Sequence, residues 1–198
     1  IQIGQKMTGV NKTFTAIDFY SGIGGWSLGL ELAGVKVIKS YEWWGPANET
    51  HQKNLGATTE QINIRELDLA TIPKTVDFVV GSPPCTQFSY SNRGGSGDLK
   101  DGLKDIKKFL QVVTKIKPKF WAMENVPRVA KVILNEIKLG GELEEFSQII
   151  TDDMVHVYDF SDFGLPQRRK RCIVGNFDAD LIQQYKKKCK VKTLGDVL

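Results

Sequence analysis

The chain has 198 residues, of which 41% are hydrophobic and 25% are charged, and its net charge at pH 7 is +4. This size and balance predict one globular domain with a sizeable core. No stretch is apolar enough to cross a bilayer, and Ile1–Lys6 lacks the layout of a signal peptide, so we expect an intracellular protein with no membrane partner. Cys85, Cys172 and Cys189 have neither metal-ligand spacing nor an even count, which predicts reduced thiols and no bound metal.

The first structured segment is a predicted strand, turn and helix. Residues 1–12 show no periodicity and predict a flexible lead-in. Phe14–Phe19 then has the pattern of a buried strand, Tyr20–Gly25 is rich in glycine, and Trp26–Ala33 has helical apolar spacing. Such a turn lets backbone N–H groups and the helix N-terminus approach a phosphate or carboxylate, although the glycines could equally serve only strand-to-helix packing.

Two further segments suggest a nucleotide site. Gly34–Glu42 is a predicted strand that ends on a carboxylate, at the place where nucleotide-binding α/β folds accept ribose hydroxyls. Trp43 follows and could stack on adenine, while a solvated glutamate and a packing indole are the alternatives. We also predict a short third strand over Glu66–Leu69, which would put Asp68 at the same edge to accept an adenine amino group. A turn-capping aspartate is the alternative for Asp68.

The next predicted strand, Val76–Val80, runs into a loop with a cysteine. Pro83 and Pro84 restrict the loop, and strand ends of open α/β sheets face the ligand crevice, so Cys85 is presented as a nucleophile would be. A buried cysteine is the alternative. The Gly- and Ser-rich segment Tyr90–Asp98 predicts a mobile loop that closes over substrate, or a plain surface linker.

A second strand tip carries an acid. After an amphipathic helix over Gly102–Lys117, the predicted strand Pro118–Glu124 ends on a carboxylate. In parallel βα units this puts Glu124 on the same rim of the sheet as Cys85. The last predicted elements are two helices, Val129–Leu139 and Glu142–Thr151, and two strands, Val155–Asp159 and Arg171–Asn176.

The C-terminal region is cationic. Four successive cations over 168–171 could contact a phosphate backbone or a base edge, or could form a solvated turn. The Lys-rich tail reads as an exposed amphipathic segment rather than a nucleic-acid arm. The predicted organisation is therefore a lead-in over 1–12, an α/β domain over 13–180 and a tail over 181–198.

These stretches, in order, resemble the C5-cytosine DNA methyltransferases from Phe14 to about Asn176. Four motifs carry the resemblance: Asp18–Gly25, Pro84-Cys85 with Phe88-Ser89, Glu124-Asn125-Val126, and Gln167 with Arg169 and Arg171. The resemblance implies a Rossmann-like fold of S-adenosylmethionine-dependent methyltransferases, with a mostly parallel sheet and helices on both faces, incomplete at the C-terminus.

The resemblance also implies a reaction and its residues. The reaction is methylation of C5 of cytosine in double-stranded DNA, through a covalent Cys85 adduct and with the base flipped out, in a restriction-modification setting in the cytoplasm, or in the nucleus of a eukaryote. The cofactor is S-adenosyl-L-methionine, converted to S-adenosyl-L-homocysteine. The implied cofactor-binding residues are Asp18, Phe19, Ser21, Gly22, Gly24, Gly25, Glu42, Trp43, Asp68, Leu69 and Pro83. The implied catalytic residues are Cys85, Glu124, Arg169 and Arg171, and the implied DNA contacts are Ser89, Arg93 and Gln167.

The sequence departs from the family in two places. Thr86 follows the cysteine where the family commonly has glutamine. The chain also ends at Leu198, before the family's recognition domain and last two motifs, which predicts a fragment, a chain complemented by a second polypeptide, or a degenerate form with little specific activity alone. A transfer-RNA cytosine-5 methyltransferase and a non-catalytic cofactor-binding subunit remain alternatives. A nicotinamide-binding dehydrogenase would explain the glycine turn but not the Pro-Pro-Cys loop.

Overall fold

The computed structural model describes residues 13–56, 59–84 and 99–197. The predicted lead-in over 1–12 and the predicted loop over 90–98 lie outside these ranges. The strands of the described chain are β1 (Thr15–Phe19), β2 (Lys36–Glu42), β3 (Thr59–Gln61), β4 (Phe78–Gly81), β5 (Phe120–Asn125), β6 (Val155–Asp159) and β7 (Lys170–Gly175). Its α-helices are α1 (Gly25–Leu32), α2 (Gly45–Leu55), α3 (Leu99–Ile116), α4 (Arg128–Glu136) and α5 (Ala179–Lys186).

The strands form one sheet in the order β3-β2-β1-β4-β5-β7-β6. All neighbouring pairs from β3 to β5 are parallel, and β7 runs antiparallel to both β5 and β6. In register, Phe19 lies opposite Tyr41 and Gly81, and Gly81 lies opposite Met123. The segments that follow β1, β2, β4 and β5 therefore meet at one edge of the sheet, here called the carboxyl rim.

Helices cover both faces of the sheet. One face packs against α3 and α4 in the main core, where Phe109 and Ile133 are fully buried together with Phe19 of β1. On the other face, α1 approaches β1 closely enough for Ser27 to bond Asp18. The amphipathic pattern predicted for α3 is confirmed, and so is the mostly parallel sheet with helices on both faces.

The predicted third strand over Glu66–Leu69 is wrong. The strand that pairs with β2 is Thr59–Gln61, and Ile64–Glu66 is a single 3-10 turn whose N–H at Arg65 is capped by the Asn63 side chain. Ile64 and Leu67 are both buried, and a spacing of three residues puts them on one side of such a turn. Alternation of a half-buried strand would have separated them.

The helix predicted over Glu142–Thr151 is also wrong. This segment contains only a short 3-10 turn, Glu144–Phe146, with turns on either side. Gly140 has a left-handed φ of 82°, and the Leu143 N–H donates to the carbonyl of Glu136, so the chain folds back on α4. Successive tight turns can bury Leu143, Phe146 and Ile150 at helix-like spacing without a helix.

The C-terminal residues form a separate exposed element. Helix α5 spans the predicted boundary at 180, and its apolar side chains Leu181 and Tyr185 are half exposed or more. This agrees with an exposed amphipathic segment. None of the helices in the described part of the chain combines the length and hydrophobicity needed to cross a bilayer.

Candidate active site

The glycine turn between β1 and α1 depends on left-handed backbone. Tyr20, Gly22 and Gly24 have φ values of 54°, 52° and 95°. A Cβ on Gly24 would lie 2.7 Å from the ring of His51, so glycine is required there. A Cβ on Gly22 would meet nothing within 4 Å, which leaves open space beside this part of the turn.

Glu42 ties this turn to the end of β2. Its Oε2 accepts the N–H of Gly22 at 2.8 Å, and its Oε1 accepts the N–H of Trp44 at 2.7 Å. A carboxylate oxygen accepts more than one hydrogen bond, so Glu42 can still receive hydroxyl groups of a ligand. The indoles of Trp43 and Trp44 are 64% and 62% exposed and can stack on a planar ring.

Asp18 and Phe19 lie in the interior. Asp18 is fully buried, and its Oδ2 accepts the N–H and hydroxyl of Ser27 at 3.2 Å and 2.7 Å, which fixes α1 against β1. Burial raises the pKa of Asp18 to about 7, against the opposing effect of the Ser27 hydrogen bonds. The ring of Phe19 stacks on Tyr41 at 4.9 Å and is also fully buried. These two side chains support the turn, in which Gly22 borders open space.

A buried polar group beneath the turn was not anticipated from the sequence. His51 of α2 is fully buried, with Nδ1 3.2 Å from the hydroxyl of Ser21. Burial lowers the pKa of His51, so the ring is neutral at pH 7. Among the residues that the structure describes, His51 Nε2 and Asn48 Oδ1 are buried without a hydrogen-bond partner. The ring of His51 packs closely against Gly24, and no local pattern in the sequence marks His51 as part of the site.

Asp68 lies on a turn. Its side chain is exposed, and Oδ1 accepts the N–H of Ala70 at 2.8 Å, the capping role that was the alternative reading. Leu69 is partly buried against the main core. Asp68 therefore does not end a strand, because the chain has already turned at Ile64–Glu66.

Three hydrogen bonds hold the segment that leads to the cysteine loop. The Ser82 N–H donates to the carbonyl of Phe19 at 3.1 Å, and the indole N–H of Trp26 donates to the Ser82 hydroxyl at 3.0 Å. The buried amide of Asn125 donates to the carbonyl of Pro83 at 3.0 Å. These bonds attach β4 to β1, α1 and β5 two residues before Cys85. Cys85, Ser89 and Arg93 themselves lie outside the described residues.

Glu124 and Arg171 form an ion pair on the carboxyl rim. Arg171 Nε lies 2.8 Å from Glu124 Oε1, and the two side chains remain 22% and 25% exposed. The antiparallel pairing of β5 with β7 puts Glu124 opposite Ile173, so Arg171 is two residues along the neighbouring strand. The sequence identified both residues, and the structure joins them.

Gln167 and Arg169 lie apart from this pair. Both residues are exposed in the loop before β7. The Arg169 N–H donates to Asp159 Oδ1 at 3.0 Å, and the hydrogen bond from Ser161 leads the interactions that hold the pKa of Asp159 below its usual value. The ionised Asp159 thus anchors the loop backbone and leaves the Arg169 side chain at the surface.

Cys172 is a poor nucleophile. It is fully buried opposite Asn125, and burial raises the pKa of its thiol to about 12, with a smaller contribution from Glu124. A thiol with this pKa has almost no thiolate at neutral pH. Within the described ranges, no group of three or more His, Cys, Asp or Glu side chains could hold a metal ion.

Known proteins resemble this chain over most of its length. The model of the family described as C-5 cytosine-specific DNA methylase matches residues 14–195. The Type II methyltransferase M.HindV of Haemophilus influenzae is 33% identical over 170 residues, which are 83% of this chain and 53% of that protein. M.HgiDI of Herpetosiphon aurantiacus, also a Type II methyltransferase, is 31% identical over 164 residues, 80% of this chain and 50% of that protein.

The chain thus spans about half the length of these relatives. Among solved structures, the S. pombe Dnmt2 methyltransferase shares the fold, with a TM-score of 0.68 at 19% identity over 94% of this chain and 60% of that chain. The match of the family model extends from before the glycine turn to beyond β7. The chain therefore belongs to the C-5 cytosine-specific DNA methylase family.

Proposed function

We propose that this chain contributes the cofactor-binding and catalytic part of a DNA cytosine-5 methyltransferase, which transfers a methyl group from S-adenosylmethionine to C5 of cytosine. One observation carries the proposal. The Glu124–Arg171 ion pair lies next to Asn125, which holds Pro83 two residues before Cys85, on the rim that also bears the glycine turn. An acid, a cation and the approach to a thiol thus converge beside a nucleotide-type site.

The residues on the rim fit the proposed cofactor. Open space beside Gly22 admits the amino-acid end, which the backbone of Ser21–Gly25 would hold. Glu42 would accept the ribose hydroxyls and Trp43 would stack on adenine, with Asp68 and Leu69 at the adenine edge. When bound, this cofactor supplies an electrophilic methyl group on a sulfonium centre.

The proposed chemistry begins at the cytosine ring, since C5 is too weak a nucleophile to accept a methyl group directly. The Cys85 thiolate adds to C6, which forms an S–C6 bond and shifts the C5–C6 π electrons toward C5, while Glu124 donates a proton or hydrogen bond to N3. With the cofactor held by Ser21–Gly25, Glu42 and Trp43, C5 would take its methyl group, and the electron pair of the broken S–CH3 bond would remain on sulfur. Loss of the C5 proton to a base and cleavage of the S–C6 bond release Cys85 as thiolate and restore the ring.

Arg171 orients the acid in this scheme. A hydrogen bond from the guanidinium to Oε1 restricts Glu124 to one rotamer, and the other oxygen, which must carry a proton to donate to N3, is left to face the ring. The guanidinium also stabilises negative charge that develops at the O2 edge of the base. Arg169 is proposed to act on the thiolate from the adjoining loop, where its side chain is exposed.

Double-stranded DNA is the proposed substrate, in keeping with the description of the family and the Type II names of the relatives. Because C6 is inaccessible in a stacked duplex, the target cytosine must be flipped out, at a cost of a few kcal/mol. Ser89, Arg93 and Gln167 are the proposed DNA contacts. A restriction-modification role would follow from the same substrate.

A mechanism-based trap tests the proposal. The purified chain, in excess and with S-adenosylmethionine, is incubated with a duplex that carries 5-fluorocytosine opposite a mismatch, which lowers the cost of flipping. A base can remove the proton at C5 but not a fluorine in its place, so elimination is blocked. The Cys85 adduct should therefore persist and survive denaturing electrophoresis. Cys85→Ser should abolish the adduct, and Cys172→Ser and Cys189→Ser should not. An adduct mapped to Cys172 or Cys189, or none with any chain, would refute the proposal.

A further inference from the structure

A hydrogen-bonded cluster that the reaction does not use links three segments beside the site. Arg65 donates from Nε and Nη2 to the two carboxylate oxygens of Asp105, at 3.0 Å and 2.6 Å, and from Nη1 to Asp101 at 2.8 Å. The hydroxyl of Tyr20 lies 3.2 Å and 3.3 Å from the carbonyl and Oδ1 of Asp105. Asp105 is buried and Arg65 is about one-third exposed, so the pair is partly shielded from solvent.

Tyr20 connects this cluster to the glycine turn. Its φ of 54° is uncommon for a residue with a side chain and persists only where surrounding contacts hold it. The bond to Asp105 is such a contact, and burial raises the pKa of Tyr20 so that the phenol keeps its proton as a donor. Ser21 and Gly22 follow directly, so the position of Tyr20 sets where the turn begins.

Helix α3 also holds the segment on the adenine side. Arg65 binds the first two turns of α3 through Asp101 and Asp105, and Lys108 donates to the carbonyl of Leu67 at 2.7 Å. Asp68 and Leu69 follow Leu67 directly. Helix α3 therefore contacts both the start of the glycine turn and the segment just before Asp68–Leu69, and none of the strands in the described chain includes either segment.

We propose that Arg65 and Asp105 are positioning residues that set the spacing between the glycine turn and the Asp68–Leu69 segment and thereby couple the two halves of the cofactor site. The inference rests on the proposed function for the identity of the ligand. A two-point Arg–Asp contact suits this task, because it fixes direction as well as distance. A ligand that spans both segments gains from a correct spacing, whereas a ligand that occupies one segment does not.

Hydrogen exchange of the ligand-free chain tests the cluster by itself. Tyr20→Phe should accelerate exchange only in peptides over 19–24, Arg65→Gln only over 64–69, and Asp105→Asn in both. Glu145→Gln, which removes the ion pair between Lys107 of the same helix and the turn Glu144–Phe146, is the matched control and should change neither. Unchanged exchange in all three variants, or uniform acceleration that includes β5 and β7, would overturn the inference.

Calorimetry then tests the coupling. Asp105→Asn should weaken binding of S-adenosylhomocysteine, which spans both segments, by about tenfold, and binding of adenosine by no more than about twofold. Glu145→Gln should leave both unchanged. Equal losses for the two ligands would overturn the coupling. Failure of the unmodified chain to bind S-adenosylhomocysteine would instead overturn the proposed function, while the exchange data would still decide whether the cluster positions the two segments.

Discussion

Two carboxyl groups near the carboxyl rim, Asp18 and Glu124, have opposite environments. At the β1–β2 end, Asp18 is fully buried, and within the described part of the chain its hydrogen bonds go to Oδ2 alone, with the neutral His51 beneath the glycine turn. At the β5–β7 end, Glu124 remains partly exposed and is paired with Arg171. The first carboxyl group builds the turn, and the second is available to a substrate.

The difference lies in desolvation. A carboxylate removed from water without a cation is destabilised, which is why burial raises the pKa of Asp18 to about 7. A carboxylate on the rim keeps water and a guanidinium as partners, and it can exchange one of them for a base edge. The comparison teaches that a carboxyl group near this site is structural or reactive according to its access to solvent. Two predictions test that division directly, and two more test the packing and the hydrogen bond that support it.

The largest expected effect is on the exposed end. Glu124→Gln should lower methyl transfer to DNA about 10²- to 10⁴-fold, since the amide of glutamine can donate a hydrogen bond to N3 but cannot transfer a proton to it. Binding of S-adenosylhomocysteine should stay the same, because Glu42 and the turn are intact. Single-turnover transfer of labelled methyl groups measures the rate of methylation, and calorimetry measures the affinity for S-adenosylhomocysteine.

Arg171→Gln supplies the control for the pair. If the arginine acts through Glu124, the double variant should be little worse than Glu124→Gln alone. Additive losses in the two single variants would show that Arg171 acts independently of the acid.

The second prediction concerns the pH dependence of stability at the buried end. The pKa of Asp18 is about 7 in the folded chain against an ordinary 3.8, so the folded state holds the proton more tightly. This contribution to the free energy of unfolding is present in full below about pH 4 and is lost as pH rises to about 7, by up to about 4 kcal/mol. Asp18→Asn has no such proton to lose.

Urea unfolding of both proteins at several pH values measures this. The stability of the unmodified chain relative to Asp18→Asn should fall between about pH 4 and 7 and be constant above. A difference independent of pH would mean that Asp18 is ionised throughout.

The third prediction tests how tightly the turn is packed. Gly24→Ala should lower the free energy of unfolding by about 2 to 3 kcal/mol, because the new Cβ meets His51 and Leu55 under 3 Å and the backbone is left-handed. Gly29 is at an exposed position of α1, where a new Cβ would meet nothing within 4 Å. Gly29→Ala should therefore raise the free energy of unfolding by about 0.5 to 1 kcal/mol. Thermal and urea unfolding should show opposite signs for the two variants.

The smallest effect on stability is expected at the hydrogen bond between the end of β5 and the segment that follows β4. Asn125→Ala removes the side-chain amide that donates to the Pro83 carbonyl and should lower the free energy of unfolding by about 1 to 2 kcal/mol. Asn135→Ala, at an exposed position of α4, should change stability by less than about 0.5 kcal/mol. Equal effects would mean that Asn125 contributes only as an ordinary polar residue.

Local patterns were enough to predict the elements that build the site. The strand, glycine turn and helix from Phe14 to Ala33, and the acids at the ends of β2 and β5, follow from apolar runs and periodicity over a few residues. Both failures arose where apolar spacing of three or four residues was ambiguous. Two pairs of buried residues show this ambiguity, because a spacing of three residues is compatible with a 3-10 turn as well as with a longer element. The pairs are Ile64 with Leu67, and Leu143 with Phe146.

The sequence by itself determined which residue types stand at the strand ends, since these are set by contiguous patterns. Only the tertiary structure decided which of them meet. Arg171 reaches Glu124 because β7 inserts antiparallel beside β5, and Arg65 reaches Asp105 across forty residues because α3 packs against the turn at Ile64–Glu66. Such contacts depend on strand order and helix packing, which arise from burial of the whole core and leave no mark in the local sequence.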